Sequence, residues 1–182
     1  IAMRARELGR KGIVVGDDVA LVGDTSGGVG TLARIVRVEP RRTLLRRTAD
    51  DVDPVERVIV ANAQQLVVVS ALANPEPRPR LIDRALVAAY DAGMQTLLVL
   101  TKADLADPAD FLATYAPLDL AHAVIGQDPD GSLTGLEAVH DLLSGTVSVL
   151  VGHSGVGKST LVNALVPDAE RATGHVNDVT GR

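Results

Sequence analysis

The stretch Val147-Ser148-Val149-Leu150-Val151-Gly152-His153-Ser154-Gly155-Val156-Gly157-Lys158-Ser159-Thr160 decides the fold. Its apolar opening, Val147–Val151, reads as a buried strand, and Ser159–Leu165 reads as the helix behind it. Between them stands GxxxxGK[ST] without a gap, in the strand–loop–helix setting that gives the pattern its meaning. Gly155 and Gly157 can take backbone angles closed to other residues, which lets main-chain amides wrap a phosphate. The helix aims unpaired N–H groups and a partial positive charge at the same anion. Lys158 adds a full charge for the β- and γ-phosphates, and Ser159 offers a hydroxyl to Mg²⁺. His153 reads as an ordinary loop residue rather than a proton carrier. The expected nucleotide contacts are Gly152, His153, Ser154, Gly155, Val156, Gly157, Lys158, Ser159 and Thr160.

A second loop lies well before the first. Leu97-Leu98-Val99-Leu100 is an apolar run that ends in Thr101-Lys102-Ala103-Asp104. This Thr-Lys-x-Asp resembles the guanine-specificity motif of GTPases, usually Asn-Lys-x-Asp. The Asp104 carboxylate can accept hydrogen bonds from guanine's ring N–H and exocyclic amine, and adenine would leave it unpaired. The aliphatic stem of Lys102 can lie against the base. Thr101 departs from the usual Asn, so an amide contact is either lost or replaced by a hydroxyl. Alone, the tetrapeptide would be an ordinary solvated strand end. With a phosphate loop in the same chain it is read as guanine-binding, at the carboxyl end of a strand where ligands settle in such sheets. In ordinary GTPases the phosphate loop comes first; here it comes second, so the order reads as a circularly permuted G domain. Permutation is tolerable because chain termini often lie close together at a surface.

Working outward, the flanks keep an alternating rhythm. Leu66–Ser70 and Thr96–Leu100 read as strands, Leu81–Ala92 and Leu136–Leu143 as helices, with Gly93 and Gly145 as stops. Val58–Ala61 reads as a further strand of the same module. This implies a mostly parallel sheet covered by helices, an α/β fold. Aromatic residues make up 2% of the 182 residues and apolar ones 46%, so the core must be aliphatic. There is no cysteine, which excludes disulfides and thiolate metal sites within these residues; no zinc site is expected in them. No apolar run approaches the roughly 20 residues a membrane helix needs, and no signal peptide is visible, so a cytoplasmic protein without membrane contact is expected. The ends, Ile1 and Arg182, read as those of a fragment.

Charge divides the chain. Residues 1–49 hold ten basic and five acidic side chains, residues 50–182 eight and eighteen, within a net charge of -5. Opposite signs suggest two modules with different partners. Asp50-Asp51-Val52-Asp53-Pro54 reads as a linker or an exposed loop, and the boundary is placed there, giving modules 1–50 and 51–182. The first reads as all-β: Gly12–Gly16, Val19–Val22, Ala33–Val38 and Leu44-Leu45 are short apolar segments punctuated by glycine turns, Gly27–Gly30 among them. Such spacing fits a small barrel of the OB type. Arg34, Arg37, Arg41, Arg42, Arg46 and Arg47 cluster in it and are candidates for RNA phosphate contact, with a solvated charged face as the alternative. No aromatic side chain is present there to stack bases, so backbone and shape recognition are expected.

A β-module followed by Thr-Lys-Ala-Asp and then Gly-His-Ser-Gly-Val-Gly-Lys-Ser-Thr resembles the ribosome small-subunit-dependent GTPase family (RsgA, also called YjeQ). Gly16-Asp17-Asp18-Val19, Pro40–Arg47, Leu161–Leu165 and Thr173-Gly174-His175-Val176, which resembles the start of the first switch, match as well. The resemblance implies an OB-fold on ribosomal RNA, binding of GTP and GDP with Mg²⁺, GTP hydrolysis stimulated by the small (30S) subunit, and a role late in that subunit's maturation. A monomer is expected. Three features depart from the family. Its switch threonine and Asp-x-x-Gly segment find no match before Arg182, its Cys/His zinc domain is not found, and Gly126-Gln127 stands where a Ser-Ala segment packs near guanine. No catalytic residue can be named. Two other classes stay open: an RNA-binding protein whose nucleotide only tunes affinity, and a P-loop ATPase.

Overall fold

The computed structural model describes residues 2–8, 12–50 and 53–166, with side chains left aside at 47–50 and 53–56. Thr173–Val176 lies outside the described residues. The chain divides into two compact units, Ile1–Ala63 and Gln64–Arg182.

The division corrects the boundary expected at residue 50. Strand β4 (Leu44–Asp50) and strand β5 (Asp53–Ala61) pair antiparallel, from Leu44 opposite Ala61 to Asp50 opposite Asp53. The acidic run therefore falls across two paired strands, with Asp50 ending β4 and Asp53 and Pro54 beginning β5. Val58–Ala61 consequently belongs to the first unit. The other strands of that unit are β1 (Ala2–Arg4), β2 (Val19–Gly23) and β3 (Ala33–Val38), with β3 in the middle, parallel to β1 and antiparallel to β2. Gly12–Gly16 forms no strand; only Val15 bridges, to Val60. The described strands thus form two open sheets and no closed barrel. Among the described residues this unit buries few apolar side chains, Ala33, Leu45, Ala61 and Ala63.

Polar pins compensate. Asp17, 1% exposed at its side chain, accepts from Arg41 at 2.6 and 2.8 Å and from the Val14 N–H at 2.8 Å. The Arg41 guanidinium holds the Asp17 carboxyl below its ordinary range. Buried Asn62 donates to the Gly16 carbonyl (2.9 Å) and accepts the Arg42 N–H (2.8 Å). At Gly16, with φ +87°, an added Cβ would stand 2.0 Å from the Ala61 carbonyl oxygen, so only glycine lets these segments meet.

The second unit is a parallel sheet in the order β11-β6-β7-β8. Its strands are β6 (Gln65–Ala71), β7 (Gln95–Thr101), β8 (Ala121–Val124) and β11 (Ser148–Val151). Helix α1 (Pro79–Asp91) connects β6 to β7, and α2 (Ala109–Tyr115), which the sequence reading missed, connects β7 to β8. A two-residue hairpin pair, β9 (Gly126–Gln127) with β10 (Leu133–Thr134), follows, then α3 (Leu136–Leu143), β11 and α4 (Lys158–Leu165). Period-two alternation divides the core. Val67, Val69, Leu97, Val99 and Ala123 pack with Val139 and Leu161 of the helices in one cluster. Leu66, Val68, Leu98 and Leu100 occupy the other strand positions, and α1, whose buried residues are Ile82, Leu86 and Ala89, packs on β6 and β7. Each such side chain contributes about 2 kcal/mol on burial. Among the described residues no helix is long and apolar enough to cross a membrane.

Candidate nucleotide site

All four sheet strands are parallel, so their carboxyl ends share one edge, and the two loops singled out in the sequence both leave from it. The phosphate loop runs from β11 to α4. Gly152 opens it against the neighbouring strand, where a Cβ would lie 2.3 Å from the Val69 carbonyl oxygen, so no other residue fits there. Gly155 and Gly157 take φ of 80° and 91°, the left-handed angles expected of them. Val156 between them is buried in the main core cluster and anchors the loop. The Lys158 ammonium folds back over the loop, donating to the carbonyls of Gly152 (2.8 Å) and His153 (2.6 Å). Burial lowers its pKa below the ordinary lysine value. His153 places Nδ1 2.9 Å from the Ser154 carbonyl oxygen, a contact internal to the loop. Ser159 is half-buried in the first turn of α4, while Thr160 is exposed.

The second loop leaves β7. Buried Thr101 donates its hydroxyl to the Val156 carbonyl at 2.7 Å, which joins the two loops directly. The hydroxyl read as a replacement for the usual amide thus has a definite partner. Lys102 sits at φ 60°, a left-handed angle that costs a non-glycine residue about 1–2 kcal/mol. Several bonds hold it there. Its Nζ donates to the Asn74 carbonyl, its own carbonyl accepts from the Leu105 N–H (3.0 Å), and Ala103 N–H donates to the Ile125 carbonyl (3.1 Å). Desolvation lowers the Lys102 pKa, and the neighbouring Asp104 charge partly opposes it. Asp104 is exposed, and its Oδ1 accepts the main-chain N–H of Gln127 at 3.1 Å.

Two participants escaped the sequence reading. The Asn74 carbonyl lies in the β6–α1 connection, and a main-chain oxygen leaves no mark in sequence. Gly126–Gln127, noted only as a departure from a Ser-Ala segment, lies alongside Thr101–Asp104.

Arg34 and Arg37 on β3 stand opposite Val22 and Ala20 of β2, and a register shift between them lets residues three apart share one face of the sheet. Arg37 pairs with Glu39 at 2.6 Å and Arg42 with Asp18 at 3.5 Å, all exposed, while Arg41 is taken up by Asp17. Arg34 and Arg46 are exposed, and the side chain of Arg47 lies outside the described residues.

The comparisons with known proteins agree with this geometry. A family profile described as RsgA GTPase matches residues 38–182. A protein of Gemmatimonas aurantiaca named small ribosomal subunit biogenesis GTPase RsgA is 37% identical over 170 residues, covering 93% of this chain and 55% of the relative. A Pseudomonas aeruginosa protein of the same name is 38% identical, covering 93% and 49%. The chain therefore spans about half the length of these relatives. Among solved structures, YjeQ from Thermotoga maritima superposes with a TM-score of 0.67 at 28% identity, covering 95% of this chain and 59% of that one. YloQ, described as a circularly permuted GTPase, superposes with a TM-score of 0.58 at 25% identity, covering 88% and 53%.

Proposed function

Because the chain belongs to the RsgA GTPase family, we propose that it carries the guanine-nucleotide site of a GTPase that acts in biogenesis of the small ribosomal subunit. The observation that carries the reading is the Thr101–Val156 hydrogen bond, which sets a base-reading loop beside a phosphate loop. In this reading Asp104 accepts from guanine, the Lys102 stem lies along the base, and Lys158 leaves its two carbonyls for the β- and γ-phosphates. The loop amides of Gly152–Gly157 and the start of α4 complete the cradle.

Mg²⁺ fits the donor set, since it takes few protein ligands and keeps phosphate oxygens and water. In this reading the Ser159 hydroxyl, in the first turn of α4, would hold it, and when bound it would neutralise charge on the β- and γ-phosphates. In hydrolysis a water oxygen bonds to the γ-phosphorus while the bond to the β-phosphate oxygen breaks. Lys158 and the loop amides offset the charge that moves toward the leaving phosphate. None of the described residues is assigned to orient that water.

The proposal extends to the partner. Stimulation by the small subunit, a cytoplasmic location, a monomeric state and an OB-type first unit are parts of the same reading. Exposed Arg34, Arg37, Arg42 and Arg46 are its candidates for rRNA phosphates, with Arg41 held in the fold. The test is competition against a fluorescent GDP analogue. GDP should displace it and ADP should not, and Asp104→Asn should abolish the difference. Equal displacement by ADP would leave a P-loop ATPase as the better reading.

A further inference from the structure

The edge between Thr101–Asp104 and Val124–Gln127 is a ladder that continues past the strand ends. The Ile125 N–H donates to the Leu100 carbonyl at 2.7 Å, and the Ala103 N–H donates to the Ile125 carbonyl at 3.1 Å. At the next rung a side chain replaces the main chain: the Gln127 N–H donates to Asp104 Oδ1 at 3.1 Å. The hairpin explains why that N–H is available. Successive N–H groups of a strand point to opposite sides. Asp128 N–H points inward, donating to the Ser132 carbonyl at 2.9 Å, so Gln127 N–H points outward toward Asp104. Tight packing holds the hairpin against the loop, since a Cβ on Gly126 would stand 2.9 Å from Thr134 Oγ1 and 3.6 Å from the Asp104 nitrogen.

We propose that the main-chain N–H of Gln127 is a positioning group for guanine recognition: it fixes the Asp104 carboxylate so that its remaining lone pairs are presented to the base. The inference rests on the base-reading role proposed for Asp104. An ionised carboxylate has about four acceptor sites, and one bond from Gln127 leaves enough for guanine's two N–H donors. Exposed Asp104 would otherwise rotate freely about its side-chain torsions, and each binding event would have to order it.

The experiment compares Gln127→Pro with Gln127→Ala in the whole chain. Both lose the side-chain bond from Gln127 Nε2 to the Gly131 carbonyl (2.9 Å), and they differ in the main-chain N–H. Glycine precedes the site, so the restriction proline places on its predecessor is tolerated. GDP, ADP and inorganic pyrophosphate are the competing probes. Gln127→Pro should bind GDP about tenfold more weakly than Gln127→Ala, as expected for one lost hydrogen bond to a charged group. Pyrophosphate should bind the two equally. Equal GDP affinities would overturn the proposal, as would a parallel loss of pyrophosphate. If the unaltered chain does not prefer GDP to ADP, the base-reading role of Asp104 itself falls, and this inference falls with it. Should Gln127→Pro not fold, amide exchange at Gln127 decides: it should be faster in Asp104→Ala than in the unaltered chain, and equal exchange overturns the proposal.

Discussion

All seven residues of β6 are buried, whereas all three of β1 are exposed. The two strands belong to units built on different physics. The second unit rests on an aliphatic core that covers both faces of its sheet, so its cohesion is spread over many small, undirected contacts. The first has few buried apolar side chains and leaves Met3, Val22, Val29 and Leu32 largely in solvent. Its cohesion sits in a few directed contacts around Asp17, Arg41, Asn62 and Gly16. The second unit should lose stability in proportion to the apolar volume removed from it, and the first should respond less to such losses and more to a change of charge.

Truncation is the sharpest way to break this contrast. Leu97→Ala should destabilise the second unit by about 3 kcal/mol, through lost transfer energy and the cavity left behind. Val22→Ala in the first unit should cost less than about 0.5 kcal/mol. Urea unfolding followed by circular dichroism measures both, and equal costs would erase the distinction.

Charge should do in the first unit what volume does in the second. Asp17→Asn should cost about 2 kcal/mol near neutral pH, less than a fully buried pair because the Arg41 side chain is 23% exposed. The folded-state pKa of Asp17 is lowered, so its contribution is complete above the unfolded value of about 3.9. It is lost as pH falls from there through the folded value. The stability difference between the unaltered chain and Asp17→Asn should therefore shrink on acidification below about pH 4; a constant difference would show that Asp17 titrates alike in both states.

The smallest effect concerns the seam between the loops. Thr101→Val keeps the side-chain volume and leaves the buried Val156 carbonyl unpaired, a penalty of about 1–2 kcal/mol. GDP affinity should fall with it, and Thr101→Ser, which retains the hydroxyl, should restore most of the loss. If serine and valine behave alike, the seam is held by packing and the hydrogen bond is incidental.

What could be read in advance follows the same division. The second unit's elements announce themselves through periodicity: α3 spans Leu136–Leu143 as its apolar spacing indicates, and the phosphate loop lies where its glycines put it. Burial imposes a period, and a period is visible in one sequence. The first unit's pairings are not of that kind. Asp50–Pro54 carries the same signature across two paired strands as in a linker, so only the distant pairing of Leu44 with Ala61 distinguishes the two. Within the candidate site, side chains such as Asp104 and Lys158 could be singled out because the proposed chemistry selects their type. The Asn74 carbonyl and the Gln127 N–H were not, because every residue has the one and nearly every residue the other.

The placement of β11 beside β6 also has a bearing on the order in which the protein can be made. Gln65 pairs with Gln95 and, on its other side, with Ser148, so the second partnership closes a much longer stretch of chain. Loop closure over that longer stretch costs about 1 kcal/mol more. A chain emerging amino end first can assemble β6, α1 and β7 while the phosphate loop is still unmade. The loop that would grip the nucleotide is attached to β11, which follows β6, β7 and β8 in the chain. In the proposed reading, a nascent chain would therefore hold the base-reading half of its site for many residues of synthesis without the phosphate-binding half, and would capture nucleotide only once β11 has paired with β6.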